Sequence, residues 1–119
     1  MEPEDLEIYQ IAISISDLAW EIYQKIPREF RYNTGLQFVT AADSIGANII
    51  EGFGKYHYRD SLKFYYNSRG SLYETYFWTG RLNKRNLIQP FLFNQMSEYL
   101  SHEKVKLNKF INALKPKID

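Results

Sequence analysis

The sequence predicts an all-α protein, an up-down-up-down four-helix bundle formed as a single domain by residues 1–119. Apolar residues recur at intervals of three and four along four segments. Proline or glycine separates neighbouring segments, and no stretch alternates polar and apolar residues for long enough to form a strand. The apolar fraction of 45% is typical of a globular protein and excludes a disordered chain.

The first helix is expected to begin near Asp5 and to end before Pro27, because proline forces the preceding residue out of the helical region. A second apolar face, with Tyr9, Ile13 and Trp20, lies about 100° around the helix from the core face. One bundle core covers only one of these faces, so the surplus predicts a homo-oligomer. The predicted core face comprises Ile8, Ala12, Ile15, Ala19, Ile22 and Ile26.

The second helix is expected from about Gly35 to Gly54, after a turn-rich linker in which Asn33 or Thr34 is a candidate N-cap. Gly52 and Gly54 stand at its end, where glycine commonly adopts the left-handed conformation of a C-cap.

The third helix is expected from about Asp60, a candidate N-cap, to about Leu87, and the fourth lies between Pro90 and Pro116. Aromatic side chains surround most of the third helix, which therefore has more apolar surface than a core requires. In the third helix the predicted core face is Leu62, Tyr65, Arg69, Leu72 and Tyr76, with an adjacent stripe of Phe64, Ser68, Ser71, Thr75, Trp78 and Leu82. In the fourth helix it is Phe93, Met96, Leu100, Leu107, Phe110 and Leu114.

The charges nearly balance, with 15 Lys and Arg against 14 Asp and Glu. This balance excludes a histone-like polycation, so a charged partner has to bind at a local cluster of charged residues. The first helix is acidic, and the third helix and the end of the fourth are basic. Basic residues interleaved with aromatics such as Tyr56 and Tyr58 predict a site for single-stranded RNA or DNA, since rings stack on bases and cations contact phosphates. The candidate residues are Lys55, Arg59, Lys63, Arg81, Lys84 and Arg85; the alternative is a solvated helix face whose tyrosines serve core or subunit contacts.

A polar line, Ser44, Asn48 and Glu51, follows the second helix, and Ser71 and Glu74 offer a complement on the third. If these faces met, Glu51 and Glu74 would form a carboxylate pair capable of acid–base catalysis. The alternative is a polar network that sets the helix register. The chain has no cysteine and no Glu-x-x-His pair of the kind that di-metal bundles use. We therefore expect no catalytic residue, no metal and no cofactor.

Two motifs resemble the 23S rRNA-intervening sequence protein family: AADSIGANIIEGFG at 41–54 and SRGSLYET at 68–75. The opening DLEIYQ at 5–10 fits as well, so the resemblance covers roughly residues 5–114. It implies four-helix bundles that assemble as homopentamers and have no established catalytic activity. It also implies packing and network roles for the residues at the signature positions, Ser44, Asn48, Glu51, Gly52, Ser71 and Glu74.

The resemblance extends to a related protein, the accessory variability determinant of diversity-generating retroelements, a basic pentamer that binds nucleic acid and a reverse transcriptase. Relatives often have one or two arginines just before the first motif, where this chain has Val39 and Thr40. The loss of these charges and the near-neutral net charge weaken the expectation of nucleic-acid binding.

We therefore expect a non-enzymatic, cytoplasmic homo-oligomer, a pentamer by resemblance, that acts as a nucleic-acid or ribonucleoprotein adaptor, with a reverse-transcriptase-like protein as a further candidate partner. The alternatives are a protein-interaction scaffold without nucleic-acid binding and, third, an enzyme that uses the paired carboxylates. The acidic first residues do not resemble a signal peptide, and no apolar run approaches the roughly 18 residues of a membrane span, so no membrane partner is expected.

Overall fold

The computed structural model describes residues 1–118 and contains four long helices. The prediction of four helices in an all-α chain is confirmed, and no strand occurs within residues 1–118. The helices are α1 (Glu7–Lys25), α2 (Leu36–Phe53), α3 (Tyr58–Lys84) and α4 (Pro90–Leu114). Shorter helical turns cover Pro3–Asp5, Arg28–Phe30 and Lys115–Lys117, and a π-helical stretch covers Arg31–Gly35.

The helices pack as a bundle about 49 Å long and 22–23 Å across. α2 packs between α1 and α3, and α4 packs between α3 and α1, so that each helix has two main neighbours. The predicted core face of α1 is confirmed, since all six of its residues are buried. Phe38, Ile45 and Ile49 of α2 and Leu92, Met96, Leu107 and Ile111 of α4 complete the middle of the core.

The core face of α3 agrees in part with the predicted one, since Tyr65 and Leu72 are buried, as are Ser68, Thr75 and Leu82 of the adjacent stripe. Tyr76 is 69% exposed and Arg69 is only half-buried. Small hydroxyl side chains occupy the buried positions instead. They permit a close approach to the neighbouring helices, and the hydroxyl groups of Thr75 and Thr79 form hydrogen bonds within α3. Thr75 Oγ1 donates to the Ser71 carbonyl at 2.7 Å, and Thr79 Oγ1 donates to the Thr75 carbonyl at 2.7 Å. The buried face is Ser61, Tyr65, Ser68, Leu72, Thr75, Thr79 and Leu82.

The linker before α2 is helical rather than turn-rich, so the predicted N-cap at Asn33 or Thr34 is wrong. The Asn33 side chain instead donates to the Glu29 carbonyl at 3.3 Å, within the same run of helical turns. The guanidinium of Arg31 donates to the carbonyls of Gln24 and Ile26 at 3.3 and 3.2 Å. It thereby satisfies carbonyl groups that the end of α1 leaves unpaired.

Both ends of α3 differ from their predicted positions by two or three residues. The N-cap is the extended residue His57, and Asp60 lies in the first turn, where its carboxylate favours the positive end of the helix dipole. At the other end, Asn86 adopts a left-handed φ of 58°. The Leu87 and Asn86 amides donate to the carbonyls of Leu82 and Asn83, which closes the helix in a Schellman motif.

The end of α2 uses its glycines differently from the prediction, since no glycine within residues 1–118 has a positive φ. Gly54 has φ −77° and ψ −4°, which any residue can adopt. Gly52 is buried against α3, so its lack of a side chain permits close packing rather than a left-handed turn.

None of the helices that the structure describes combines the length and the apolar character needed to span a bilayer.

Candidate nucleic-acid interface

One end of the bundle has an open cleft of about 630 Å³ between the start of α3 and the chain that follows α4. We call it the end cleft. Tyr56, His57, Tyr58 and Arg59 line one side, and Lys117 and Ile118 line the other, with Asp60 also in contact. The structure thus joins the aromatic run before α3 to the basic residues after α4, which are far apart in sequence.

The aromatic rings of the end cleft are open to solvent. Tyr56 is 93% exposed and Tyr58 is 49% exposed. The Tyr56 and His57 rings meet edge to face with centroids 4.8 Å apart, which orients two flat surfaces at nearly a right angle. Exposed rings of this kind are the surfaces on which unpaired bases stack.

One lysine lies over a ring of the end cleft, and two more lie over aromatic rings further along α3. Lys117 Nζ lies 5.8 Å from the centroid of Tyr58, and Lys115 Nζ lies 5.8 Å from that of Tyr66. Lys63 Nζ lies 5.9 Å from the centroid of Phe64. Within the described residues none of these three lysines forms an ion pair with a carboxylate, so their charges are available to a phosphate backbone. Lys55 differs, since its Nζ lies 3.7 Å from Glu51 Oε2.

The six predicted basic residues do not form one patch. Arg59 lines the end cleft, and Lys55 and Lys63 lie near the same end of α3, whereas Arg81, Lys84 and Arg85 lie at its other end. The 22 residues from Arg59 to Arg81 correspond to about 33 Å of helix. Arg85 Nη1 also donates to Thr34 Oγ1 at 3.2 Å, which ties the far group to the start of α2.

The predicted polar line on α2 bonds mainly within its own helix. Ser44 Oγ donates to the Thr40 carbonyl at 2.8 Å, and Asn48 Nδ2 donates to the Ser44 carbonyl at 2.8 Å. The side-chain hydrogen bond that crosses from α3 to α2 comes from Ser68, whose Oγ donates to the Ile45 carbonyl at 2.8 Å.

The structure does not bring Glu51 and Glu74 together, and both side chains are exposed. Gly52, next to Glu51, packs against Ser61 and Tyr65 of α3. Glu74 follows Ser61 by 13 residues, or about 20 Å along the helix axis. Ser71 lies between, and its carbonyl accepts the hydrogen bond from Thr75.

Val39, the first of the two residues before the first motif, is buried against the core, and Thr40 beside it is exposed. An arginine at residue 39 of this chain would have to bury its charge, so the apolar residue fits the packing.

Two features of the site region were not predicted. Lys115 and Lys117 were predicted only as part of a basic end of the fourth helix, and the sequence gives no sign that this end meets Tyr58 and Tyr66.

Glu103 lies in the core of α4 and is 0% exposed. In the sequence, Leu100 and Leu107 of the predicted stripe are seven residues apart, and Glu103 stands between them where the spacing requires one further core residue.

Both carboxylate oxygens of Glu103 lack a hydrogen-bond partner among the described residues. Burial away from water and, to a smaller extent, the nearby carboxylate of Glu7 raise the pKa of Glu103 to about 8. Glu7 itself pairs with Lys106 on α4 at 2.9 Å, and that hydrogen bond lowers the pKa of Glu7.

The model of the 23S rRNA-intervening sequence protein family matches residues 4–109. A crystal structure from Bacteroides thetaiotaomicron, of a protein with unknown function from the S23 ribosomal protein family, superposes with a TM-score of 0.81. The two sequences are 16% identical, and the match covers 87% of this chain and 97% of that one. At this identity the likeness shows the fold alone. Among proteins with curated descriptions, none matches the chain.

Proposed function

Because the chain belongs to the 23S rRNA-intervening sequence protein family, we propose that it is a non-enzymatic, cytoplasmic, homo-oligomeric scaffold that binds single-stranded nucleic acid at the end cleft. The observation that carries the proposal is the juxtaposition of exposed Tyr56, His57 and Tyr58 with Arg59 and Lys117. Bases stack on the rings while the cations contact the phosphates, a combination that requires no particular sequence.

An up-down-up-down connectivity is part of the proposal. Ser16 bonds to Asp43 while Ala12 packs on Gly46, so residue numbers rise along α1 as they fall along α2. The same reversal holds between α3 and α4, where Arg69 bonds to Asn108 and Tyr65 meets Phe110. This arrangement puts the start of α3 and the end of α4 at the same end of the bundle, as the end cleft requires.

Fluorescence anisotropy with short labelled RNA and DNA tests the proposal, at about 50 and 200 mM salt. Wild-type protein is expected to bind at the lower salt and to lose most of its affinity at the higher, because binding to phosphates releases counterions. A Lys115→Glu/Lys117→Glu variant should weaken binding at least about tenfold and flatten the salt dependence by about two phosphate contacts.

A matched control applies the same charge change at the far end of α3, in Lys84→Glu/Arg85→Glu. Its affinity should stay close to that of wild type, because these residues lie roughly 33 Å or more from the end cleft. Tyr56→Ala should weaken binding by about tenfold through the loss of one stacked base. Equal losses in both double variants would contradict the end cleft as the binding site.

Absence of binding at the lower salt would overturn the nucleic-acid part of the proposal. The protein would then be a protein-interaction scaffold, since twelve large apolar side chains apart from Met1 are exposed in the structure. A ribonucleoprotein that contains a reverse-transcriptase-like protein is the partner to test next.

A further inference from the structure

An apolar surface follows the outer groove between α1 and α2, and we call it the α1–α2 seam. The hydrogen bond from Ser16 Oγ to Asp43 Oδ1, 2.6 Å long, marks where the two helices meet on this side. Ile13 and Trp20 lie three residues before and four after Ser16, hence on the same side of α1. Leu36 and Ile50 lie seven residues before and after Asp43, hence on the same side of α2.

These four side chains are between 39% and 54% exposed, and Trp20 stacks on Tyr23 with ring centroids 5.5 Å apart. Together they present apolar and aromatic side chains to solvent on both sides of the Ser16–Asp43 hydrogen bond. A surface of this kind on a small helical protein indicates a contact with another protein.

A second apolar surface lies across the bundle, between α3 and α4, and we call it the α3–α4 groove. It has a volume of about 400 Å³ and is lined by Leu72, Tyr73, Tyr76, Leu100, Ser101 and Lys104. Tyr73 and Tyr76 are exposed, and Lys104 Nζ lies 6.0 Å from the Tyr73 ring centroid. Since each helix packs mainly on its two neighbours, the α1–α2 seam and the α3–α4 groove face opposite directions.

The helices that form the two surfaces carry opposite formal charge, and at the surfaces themselves Asp43 lies in the seam while Lys104 lines the groove. α1 and α2 contain five acidic side chains and one basic one, a formal net charge of −4. α3 and α4 contain eight basic and four acidic side chains, a formal net charge of +4. Contact between two like sides would bring like charges together, whereas contact between unlike sides brings opposite charges together.

We propose that the α1–α2 seam of one copy of this chain docks on the α3–α4 groove of a second copy. The inference rests on the self-association in the proposed function and specifies its geometry. The contact is heterologous, since each copy offers a different face to each neighbour. Every added copy exposes a fresh seam and a fresh groove, so further copies can be added, and association ends only where the rotation between copies closes a ring.

A pair of complementary variants tests this geometry, with masses measured by light scattering after size exclusion. Trp20→Glu destroys the seam and leaves the groove, whereas Tyr76→Glu destroys the groove and leaves the seam. Each variant alone is expected at the 14.2 kDa mass of one chain. Their equimolar mixture is expected at twice that mass, because one intact seam and one intact groove remain to form a single contact.

Phe91→Glu provides the control, since Phe91 is 62% exposed but belongs to neither surface; it should keep the wild-type mass. Circular dichroism and thermal melting of each variant establish that the bundle is folded. If Tyr76→Glu alone stays assembled while Trp20→Glu alone is monomeric, the seam packs on itself and the inference is wrong.

Failure of the inference is distinguishable from failure of the proposed function. A wild-type monomer at all concentrations tested would overturn self-association altogether. Assembled wild type with both variants still at the wild-type mass would overturn only the seam and groove. Nucleic-acid binding at the end cleft is measured separately and depends on residues that neither variant changes.

Discussion

The ring of Tyr65 lies directly against the backbone of Gly52, where α3 crosses the end of α2. A β-carbon at residue 52 would come within 2.8 Å of Tyr65 Cε1 and within 3.1 Å of the Ser61 carbonyl oxygen. Any side chain at this position therefore pushes α3 away from α2. The close approach explains why a glycine is buried in the last turn of a helix, where its flexibility would otherwise be a cost.

Gly52→Ala is accordingly expected to lower the free energy of unfolding by about 1–3 kcal/mol, the usual cost of overpacking. Urea denaturation measures the change. Gly70→Ala is the matched control, because Gly70 is exposed in the middle of α3 and nothing lies within 4 Å of its added β-carbon. That substitution should raise the free energy of unfolding by up to about 1 kcal/mol through helix propensity. An unchanged stability for Gly52→Ala would contradict the contact.

Ser68→Ala should lower the free energy of unfolding by about 1 kcal/mol. Its hydroxyl is fully buried and donates to the Ile45 carbonyl, so the variant loses a hydrogen bond between two helices. Ser44→Ala removes a hydroxyl that bonds within its own helix at a partly exposed position, and its effect should be smaller. Thermal unfolding measures both variants. A larger loss of stability in Ser44→Ala than in Ser68→Ala would contradict the interhelical hydrogen bond.

Asn86 closes α3 in the left-handed conformation, which alanine adopts only at a cost. Asn86→Ala is expected to lower the free energy of unfolding by about 1 kcal/mol or somewhat more. Asn86→Gly should keep or raise the stability, because glycine adopts this conformation without steric strain. Equal stabilities for the alanine and glycine variants, measured by chemical denaturation, would show that φ at this residue does not matter.

Glu103 makes the stability of the bundle depend on pH. Its pKa is about 8 in the folded chain against an ordinary value of 4.5, so the folded state holds a proton that the unfolded state has released. Because the unfolded state binds fewer protons in this window, the free energy of unfolding falls as the pH rises. The fall is about 1.4 kcal/mol per pH unit between pH 4.5 and 8, and this contribution is constant outside the window.

Denaturant titrations at several pH values between 5 and 8, for wild type and Glu103→Gln, isolate this contribution. Glutamine does not ionise, so the difference in stability between the two proteins should change steadily with pH in favour of the variant. Glu98→Gln, at an exposed position of the same helix, is the control and should leave the pH dependence as it is. Parallel pH profiles for wild type and Glu103→Gln would mean that the buried carboxyl does not ionise on unfolding.

The helices could be predicted because their apolar spacing is a local property that any bundle core preserves. The positions of Pro27, Pro90 and Pro116 also place helix ends to within a few residues. The core face of α3 could be predicted only in part, because Tyr76 and Thr75 stood in neighbouring predicted stripes and only the packing decides which of them is buried. The small hydroxyl of Thr75 suits the buried position because it bonds within the helix and allows close approach.

The candidate site also has residues that the sequence pattern predicts and residues that only the fold brings together. Tyr56 and Arg59 are neighbours in sequence, so their cluster was predictable from the pattern alone. Lys117 joins them only through the tertiary fold, and Arg81 and Lys84 leave them because a straight helix separates its ends. Glu103 was not predicted as a core residue, because a search for hydrophobic residues passes over a carboxyl group even where the core contains one.

The end cleft lies at one end of a bundle about 49 Å long. In a symmetric ring of copies, this position decides where the clefts lie along the symmetry axis. In a ring built from identical head-to-tail contacts, every copy of a given residue has the same height along the symmetry axis. If the proposed contacts close a ring whose axis runs along the bundles, all copies of Tyr56 and Lys117 stand on one circular rim and the opposite rim has none. A strand bound as proposed would then meet the clefts one after another, and the second face of the ring would be left open to other molecules.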